Sequence, residues 1–148
     1  MTMNFVKGQR PNVDTRKRAP SLHSMIHSPG FLKLVDEARS RVSEITIAQA
    51  RERLAANREA VLVDVREDSE WAKGHAADAV HLGKGILERD LESLYPDKNA
   101  ELIMYCGGGF RSALTCDAAQ KMGYTNVASL IGGHKALVAA GWPMKRGD

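Results

Sequence analysis

The sequence predicts a single α/β domain in which a mainly parallel sheet carries helices on both faces. Residues 61–65 form a valine-rich run of strand length that is interrupted by Asp64, and residues 102–105 form a continuous apolar run; such runs are typical of strands buried on both faces of a parallel sheet. Strand segments alternate with segments of helical spacing, which is the pattern of a sheet covered by helices. The chain has 148 residues, a length that suits one hydrophobic core and leaves no room for a second.

The first predicted helix covers residues 28–43. Ser28 is suited to cap a helix, and Pro29 to its first turn. Apolar residues then recur at helical spacing, namely Phe31, Leu34, Val35, Ala38 and Val42. This stripe predicts an amphipathic helix that covers the core, with a partner-binding face as the alternative.

The remaining elements follow from local signals along the chain. Thr46 and Gln49 have the spacing of a capping box, which predicts a second helix that stops near Asn57. Ile45, between the two helices, is predicted to lie in an edge strand. Later elements are a weak strand at 79–82, a short helix at 86–94, a turn at 96–99, a helix from about Arg111 to Met122 that ends at Gly123, a last strand at 127–130 and a closing helix up to Gly141.

Positive charge is concentrated at the amino terminus. The first 42 residues carry eight Lys or Arg and three Asp or Glu, whereas the remaining 106 carry 13 and 15. Residues 1–27 are therefore predicted to form a basic, disordered arm ahead of a domain at 44–148. Nucleic acid is disfavoured as a partner because the predicted domain is slightly acidic, although the arm could contact RNA or an anionic surface. The arm lacks the apolar segment of a secretory signal, and an organellar transit peptide is the weaker alternative.

The composition excludes several kinds of site. The apolar runs are far shorter than the roughly 18 residues that a helix needs to cross a bilayer, so no membrane span is expected. Two cysteines cannot build a disulfide framework, and the sequence has no clustered Cys and His spacing of the kind that binds zinc. We therefore expect a protein of the reducing cytoplasm without a zinc site of this kind.

The most informative segment is the glycine turn after the second apolar run, Cys106-Gly107-Gly108-Gly109-Phe110-Arg111. A buried strand delivers Cys106 to the carboxyl edge of the sheet, where open α/β folds bind their ligands. Three glycines let the backbone turn several N–H groups toward one point, which favours an anion there. The next helix N-terminus and Arg111 also favour negative charge, so Cys106 is predicted to react as a thiolate. A buried, inert cysteine beside a tight turn is the alternative.

This loop resembles the active-site loop of the rhodanese-like domains, a family of single-domain sulfurtransferases. Further segments resemble the same family: Asp64-Val65-Arg66-Glu67, Glu70, Gly74-His75, Ala79-Val80-His81-Leu82, Gly132-Gly133 and Gly141-Trp142-Pro143. The resemblance identifies residues 44–148 as a rhodanese-like domain, and it implies a five-stranded parallel sheet flanked by helices.

The resemblance also implies a function and a set of site residues. Cys106 is similar to the family's residue that carries a transferable sulfur as a persulfide. The family's loop that surrounds this sulfur with N–H groups is matched in this chain by Gly107, Gly108, Gly109, Phe110 and Arg111. Arg66 is a further candidate for contact with substrate, although its segment more often orients strand-end loops. The implied activity is transfer of a sulfane sulfur from thiosulfate or a persulfide donor to a thiol, to cyanide or to a protein acceptor.

Two other functions stay open. Four residues separate Cys106 from Arg111, whereas the related phosphatases use five, so an arsenate- or phosphate-handling enzyme is the weaker alternative. A rhodanese-like module that binds a partner without catalysis is the other.

The loop has no Lys and no second Arg, which makes a protein or low-molecular-weight persulfide at least as good a donor as dianionic thiosulfate. The sequence leaves the oligomeric state open.

Four other residues receive structural interpretations. Cys116 lies within a predicted helix among apolar neighbours, and we expect it to pack in the core and to be inert. His75, His81 and His134 lie near the ends of predicted elements, where histidines more often cap or face solvent than shuttle protons.

Overall fold

The computed structural model describes residues 27–147. The chain divides into residues 1–32 and residues 33–148. In the described part of the first unit, Phe31 N donates to Ser28 Oγ at 3.3 Å, as expected of a helix cap. The basic arm predicted for residues 1–27 lies outside the described residues except for His27, so the arm and the boundaries that follow it stay predictions.

The described residues form six helices and seven strands. In chain order they are α1 (Pro29–Arg39), β1 (Ser43–Ile45), α2 (Ile47–Ala56), β2 (Val61–Asp64), α3 (Asp68–Lys73), β3 (His75–Ala76), β4 (Ala79–His81), α4 (Lys84–Leu94), β5 (Leu102–Tyr105), α5 (Phe110–Lys121), β6 (Val127–Leu130), α6 (Gly133–Ala139) and β7 (Met144–Lys145). Helix α1 ends before the predicted Val42, because Ser40 Oγ donates to Glu37 O and Arg41 N donates to Ala38 O in a tightened last turn.

The main sheet has five strands in the order β1-β6-β5-β2-β4. Every neighbouring pair in it is parallel. The sheet therefore has the fold class that the sequence predicted, and the edge strand expected at Ile45 is β1. The middle strand is β5, so the residue that follows it, Cys106, lies at the centre of the carboxyl edge of the sheet.

The core lies on both faces of this sheet. Alternate residues of β5 belong to different apolar clusters: Leu102 and Met104 to one, and Ile103 and Tyr105 to the other. Helices α4 and α5 contribute to the first cluster, and α2 and α6 to the second. Each large side chain buried in this way contributes about 1.5–3 kcal/mol, so the two-sided core fixes the position of β5.

Three short elements were not predicted. Helix α3 has six residues and none of them is buried, so it leaves no apolar periodicity in the sequence. Strands β3 and β7 have two residues each and form a separate antiparallel pair, with His75 opposite Lys145 and Ala76 opposite Met144.

Within residues 27–147, none of the helices has the length and apolar content that a membrane-spanning helix needs.

Candidate active site

The sulfur of Cys106 lies at the amino end of α5. Cys106 follows β5 directly and is 1% exposed. Its Sγ accepts hydrogen bonds from Gly109 N at 3.1 Å and from Ser112 N at 3.3 Å. The Oγ of Ser112 lies 3.5 Å from the same sulfur and 2.7 Å from Ser129 Oγ. Two backbone N–H groups at a helix N-terminus therefore point at this sulfur, an arrangement that stabilises negative charge on it.

Gly109 is required by the shape of the loop. It precedes α5 in the left-handed conformation, with φ of +98°. A Cβ at this position would lie 3.3 Å from Gly132 N and 3.4 Å from Leu130 O. Gly109 is buried, whereas Gly107, Gly108 and Phe110 are half-buried around it. Glycine therefore lets the loop turn its N–H group inward while its backbone touches the end of β6.

A second helix N-terminus holds the carbonyl groups of the loop. His134 N donates to Cys106 O at 2.7 Å, and Lys135 N donates to Gly107 O at 3.2 Å. Both donors lie in the first turn of α6. Because these carbonyl oxygens are bound to α6, the loop is held with the N–H groups of Gly109 and Ser112 on the sulfur.

Arg111 lies beside the loop in a bidentate ion pair. Its Nη1 donates to Glu70 Oε1 at 2.7 Å, and its Nη2 donates to Glu70 Oε2 at 3.0 Å. A Cβ on Gly107 would lie 3.0 Å from the same Nη2, so the guanidinium sits against the first glycine of the loop. The hydrogen bonds from Arg111 hold the pKa of the Glu70 carboxyl down at about 2.

Glu70 is the main residue of this arrangement that sequence reasoning left without a chemical role. It lies on α3, where its side chain also accepts a hydrogen bond from Glu67 N at 3.1 Å. The family resemblance marks Glu70, and its spacing from Glu67 is that of a capping box. Neither signal identifies Arg111 as its partner, because the two residues are 41 positions apart.

Arg66 is bound by the protein on two sides. Its Nε and Nη2 donate to the Asp64 carboxylate at 2.8–3.1 Å, and Nη2 also donates to Gly74 O at 2.7 Å. Arg66 is 4% exposed. These contacts fix the segments that follow β2 and α3, and the substrate contact predicted for Arg66 stays a prediction.

A family model described as "Rhodanese-like domain" matches residues 46–140. The chain belongs to the rhodanese-like domain family. The match contains β2 to β6 and the whole of the loop from Cys106 to Arg111, and it agrees with the resemblance found in the sequence. Helix α1 and strand β1 precede it.

Two relatives of this rhodanese-like domain are named as sulfurtransferases. The chain is 31% identical over 103 residues to a sulfurtransferase of Allochromatium vinosum, a match that spans 70% of this chain and 94% of the relative. It is 32% identical over 86 residues to the thiosulfate sulfurtransferase GlpE of Coxiella burnetii, spanning 58% of this chain and 78% of the relative. A solved structure from Rhodopseudomonas palustris, titled a protein of unknown function and possible tyrosine phosphatase, superposes with a TM-score of 0.70 at 29% identity over 80% of this chain and 96% of that one.

The second cysteine of the rhodanese-like domain lies in its core. Cys116 is 0% exposed and belongs to the apolar cluster on the α4 and α5 side of the sheet. Burial raises the pKa of the Cys116 thiol, which therefore stays protonated at neutral pH. This agrees with the core-packing role expected from the sequence.

The three histidines are held in different ways. His75 is 1% exposed, stacks on Trp71 and lies within 2.9 Å of two backbone carbonyl oxygens, so it is a core residue and not a surface group. His81 Nε2 lies 2.8 Å from Arg66 O. His134 is half-buried, and burial lowers its pKa, with a further contribution from the charge of Arg66.

Among the described residues, no group of three or more His, Cys, Asp or Glu side chains is arranged to hold a metal ion.

The ion pair between Glu70 and Arg111 predicts a pH-dependent contribution to stability. The Glu70 pKa falls from an ordinary value of 4.5 to about 2 on folding. A carboxyl group whose pKa is lower in the folded state than in the unfolded state stabilises the folded state at pH values above its unfolded pKa. This contribution is lost as the pH falls through the folded pKa. We therefore expect the difference in free energy of unfolding between the wild type and Glu70→Gln to be constant above about pH 5 and to shrink between pH 4.5 and 2.

Urea unfolding at a series of pH values measures this difference. Subtracting the Glu70→Gln curve from that of the wild type removes the contribution of Asp117, whose pKa is also held at about 2, by hydrogen bonds from Arg41 and Lys121. A difference that does not change with pH would show that Glu70 and Arg111 are not paired in solution.

Proposed function

We propose that this chain is a sulfurtransferase that carries a sulfane sulfur as a persulfide on Cys106. The observation that carries the proposal is the pair of backbone hydrogen bonds from Gly109 and Ser112 to the Cys106 sulfur at the N-terminus of α5. These groups stabilise a thiolate, which is the nucleophilic form of cysteine. The sulfurtransferase relatives support the same reaction class.

The proposed reaction has two displacement steps. In the first, the Cys106 thiolate attacks the outer sulfur of thiosulfate or of a persulfide donor. A new bond forms between Sγ and that sulfur, the S–S bond of the donor breaks, and its electron pair leaves with sulfite or with the donor thiolate. In the second, a thiol, cyanide or a protein nucleophile attacks the outer sulfur of the persulfide, and the bond to Sγ breaks to restore the thiolate. Neither step uses a metal or an organic cofactor.

The loop suits the persulfide as well as the thiolate. The terminal sulfur of a persulfide is negatively charged and extends beyond Sγ, into the space that the loop surrounds. Gly107, Gly108 and Phe110 are half-buried, so the rim of the loop is partly accessible to a donor, whereas Cys106 itself is 1% exposed. Four residues between Cys106 and Arg111 make a small ring of backbone N–H groups, which fits one sulfur atom better than a phosphoryl group with its three oxygens.

Intact-mass measurement of the protein tests this proposal directly. After incubation with thiosulfate, we expect the mass to increase by one sulfur atom, and subsequent cyanide to remove that sulfur as thiocyanate. Absence of the adduct with thiosulfate and with a low-molecular-weight persulfide would favour the non-catalytic binding module. Hydrolysis of an aryl phosphate at a rate comparable with sulfur transfer would instead favour a phosphatase.

A further inference from the structure

Arg39 reaches the candidate active site from outside the part of the chain that matches the family model. It is the last residue of α1, whereas the match begins at residue 46. Its Nε donates to Glu44 Oε2 at 3.1 Å, and its guanidinium carbon lies 4.7 Å from the centre of the Phe110 ring. One ion pair and one cation–π contact therefore fix this guanidinium at the loop.

The guanidinium of Arg39 lies beside the residue that hydrogen-bonds the sulfur. A Cβ on Gly109 would lie 4.0 Å from Arg39 Nη2, and the N–H of Gly109 donates to Cys106 Sγ. Arg111 occupies the corresponding position at Gly107. The loop is therefore flanked by two guanidinium groups, one at its first glycine and one at its third, and each of them is paired with a glutamate.

We propose that Arg39 binds the charged end of an anionic sulfur donor and makes the site selective for doubly charged donors. This inference rests on the proposed sulfurtransferase function. Glu44 engages only Nε, which is one of the five N–H donors of the guanidinium. The Arg39 side chain is 32% exposed, so an incoming sulfonate group can reach the remaining donors. Arg39 thus supplies the second positive charge that the loop sequence lacks.

The energetic effect of Arg39 is expected to be moderate. A positive charge attracts a dianion more strongly than a monoanion, and the attraction is greater near a protein surface than in bulk water because the effective dielectric constant is lower there. Glu44 offsets part of this attraction because it lies against the same guanidinium. We therefore expect the loss of Arg39 to lower kcat/KM for a doubly charged donor by about 10-fold, mainly through a higher KM.

Two donors with the same reacting bond separate charge recognition from chemistry. Thiosulfate is a dianion and releases sulfite, whereas methanethiosulfonate is a monoanion and releases methanesulfinate; in both, Cys106 takes the terminal sulfur and the S–S bond breaks. We expect Arg39→Gln to lower kcat/KM about 10-fold with thiosulfate and less than about 3-fold with methanethiosulfonate. Arg39→Lys, which keeps the charge but loses the planar fork, should recover part of the thiosulfate activity.

Arg53→Gln is the matched control. It also removes one positive charge, but Arg53 pairs with Glu101, which precedes β5 at the opposite edge of the sheet. We expect the ratio of the two kcat/KM values in this variant to equal that of the wild type. A ratio that Arg39→Gln leaves unchanged, or that Arg53→Gln lowers equally, would overturn the role of Arg39. Failure of the wild type to take sulfur from either donor would contradict the sulfurtransferase function itself, and the inference with it.

Discussion

Replacing Cys106 with serine is expected to abolish sulfur uptake, lowering kcat/KM by on the order of 10³-fold or more. The reason is chemical, because a serine hydroxyl forms no persulfide and ionises far less readily than a thiol. The loop itself should be preserved, since the N–H groups of Gly109 and Ser112 can donate to an oxygen in place of the sulfur. Two measurements check this loss of activity: thiocyanate should no longer form, and the intact mass should show no sulfur adduct.

Cys116→Ser is the matched control for this substitution. This substitution also replaces a sulfur atom with oxygen, but it does so in the core, where Cys116 is 0% exposed. A hydroxyl there lowers stability by about 1–3 kcal/mol, so both variants should be assayed well below their melting temperatures. We expect Cys116→Ser to keep most of the activity of the wild type. Equal losses in the two variants would contradict a mechanism with Cys106 as the single nucleophile.

The sheet was predictable because its two central strands carry their signal locally. Strand β5 is a continuous apolar run, and β2 is apolar except for Asp64 at its end; burial on both faces of a sheet favours such runs. The edge strand β1 was predictable only from its position between two helices. Strands β3 and β7 could not be predicted, since each has two residues and the pairing of His75 with Lys145 depends on how the whole chain folds.

The candidate site was predictable only to the extent that it is local in sequence. Cys106, the three glycines and Arg111 are consecutive or nearly so, and their residue types carry the prediction. Glu70 and Arg39 lie 36 and 67 positions before Cys106 in the sequence, and each contacts the same loop from its own helix. Both are charged, partly exposed residues, and such residues have many roles on a protein surface. Their contribution follows from geometry that no local pattern records.

Gly133 has an equally non-local role, and its substitution tests how the loop is held. The resemblance marked Gly132-Gly133, but the reason lies in the contact between α6 and the loop. A Cβ on Gly133 would lie 2.3 Å from Cys106 O and 2.9 Å from Gly107 C, and its φ is +52°. These are backbone atoms, so an alanine here must displace the loop from the N-terminus of α6.

Gly133→Ala is therefore expected to lower both stability and activity. The left-handed conformation costs about 1–2 kcal/mol for a residue with a Cβ, and overpacking a close contact adds about 1–3 kcal/mol, so the free energy of unfolding should fall by about 2–5 kcal/mol. Displacing Cys106 O weakens its hydrogen bond from His134 N and moves the sulfur relative to the loop N–H groups. A displacement of about 1 Å at a reacting centre can lower a rate on the order of 100-fold, and we expect a loss of that size in sulfur uptake.

Gly141→Ala separates the contact from the backbone conformation. Gly141 is also left-handed, with φ of +72°, but a Cβ there would have no heavy atom within 4 Å. This variant should lose only about 1–2 kcal/mol of stability and should take up sulfur at the rate of the wild type. The measurements are urea unfolding and sulfur uptake for the two variants side by side. If Gly133→Ala loses no more than Gly141→Ala, the close approach of α6 does not position Cys106, and the hydrogen bonds from His134 and Lys135 to the loop carbonyl groups are dispensable for the site.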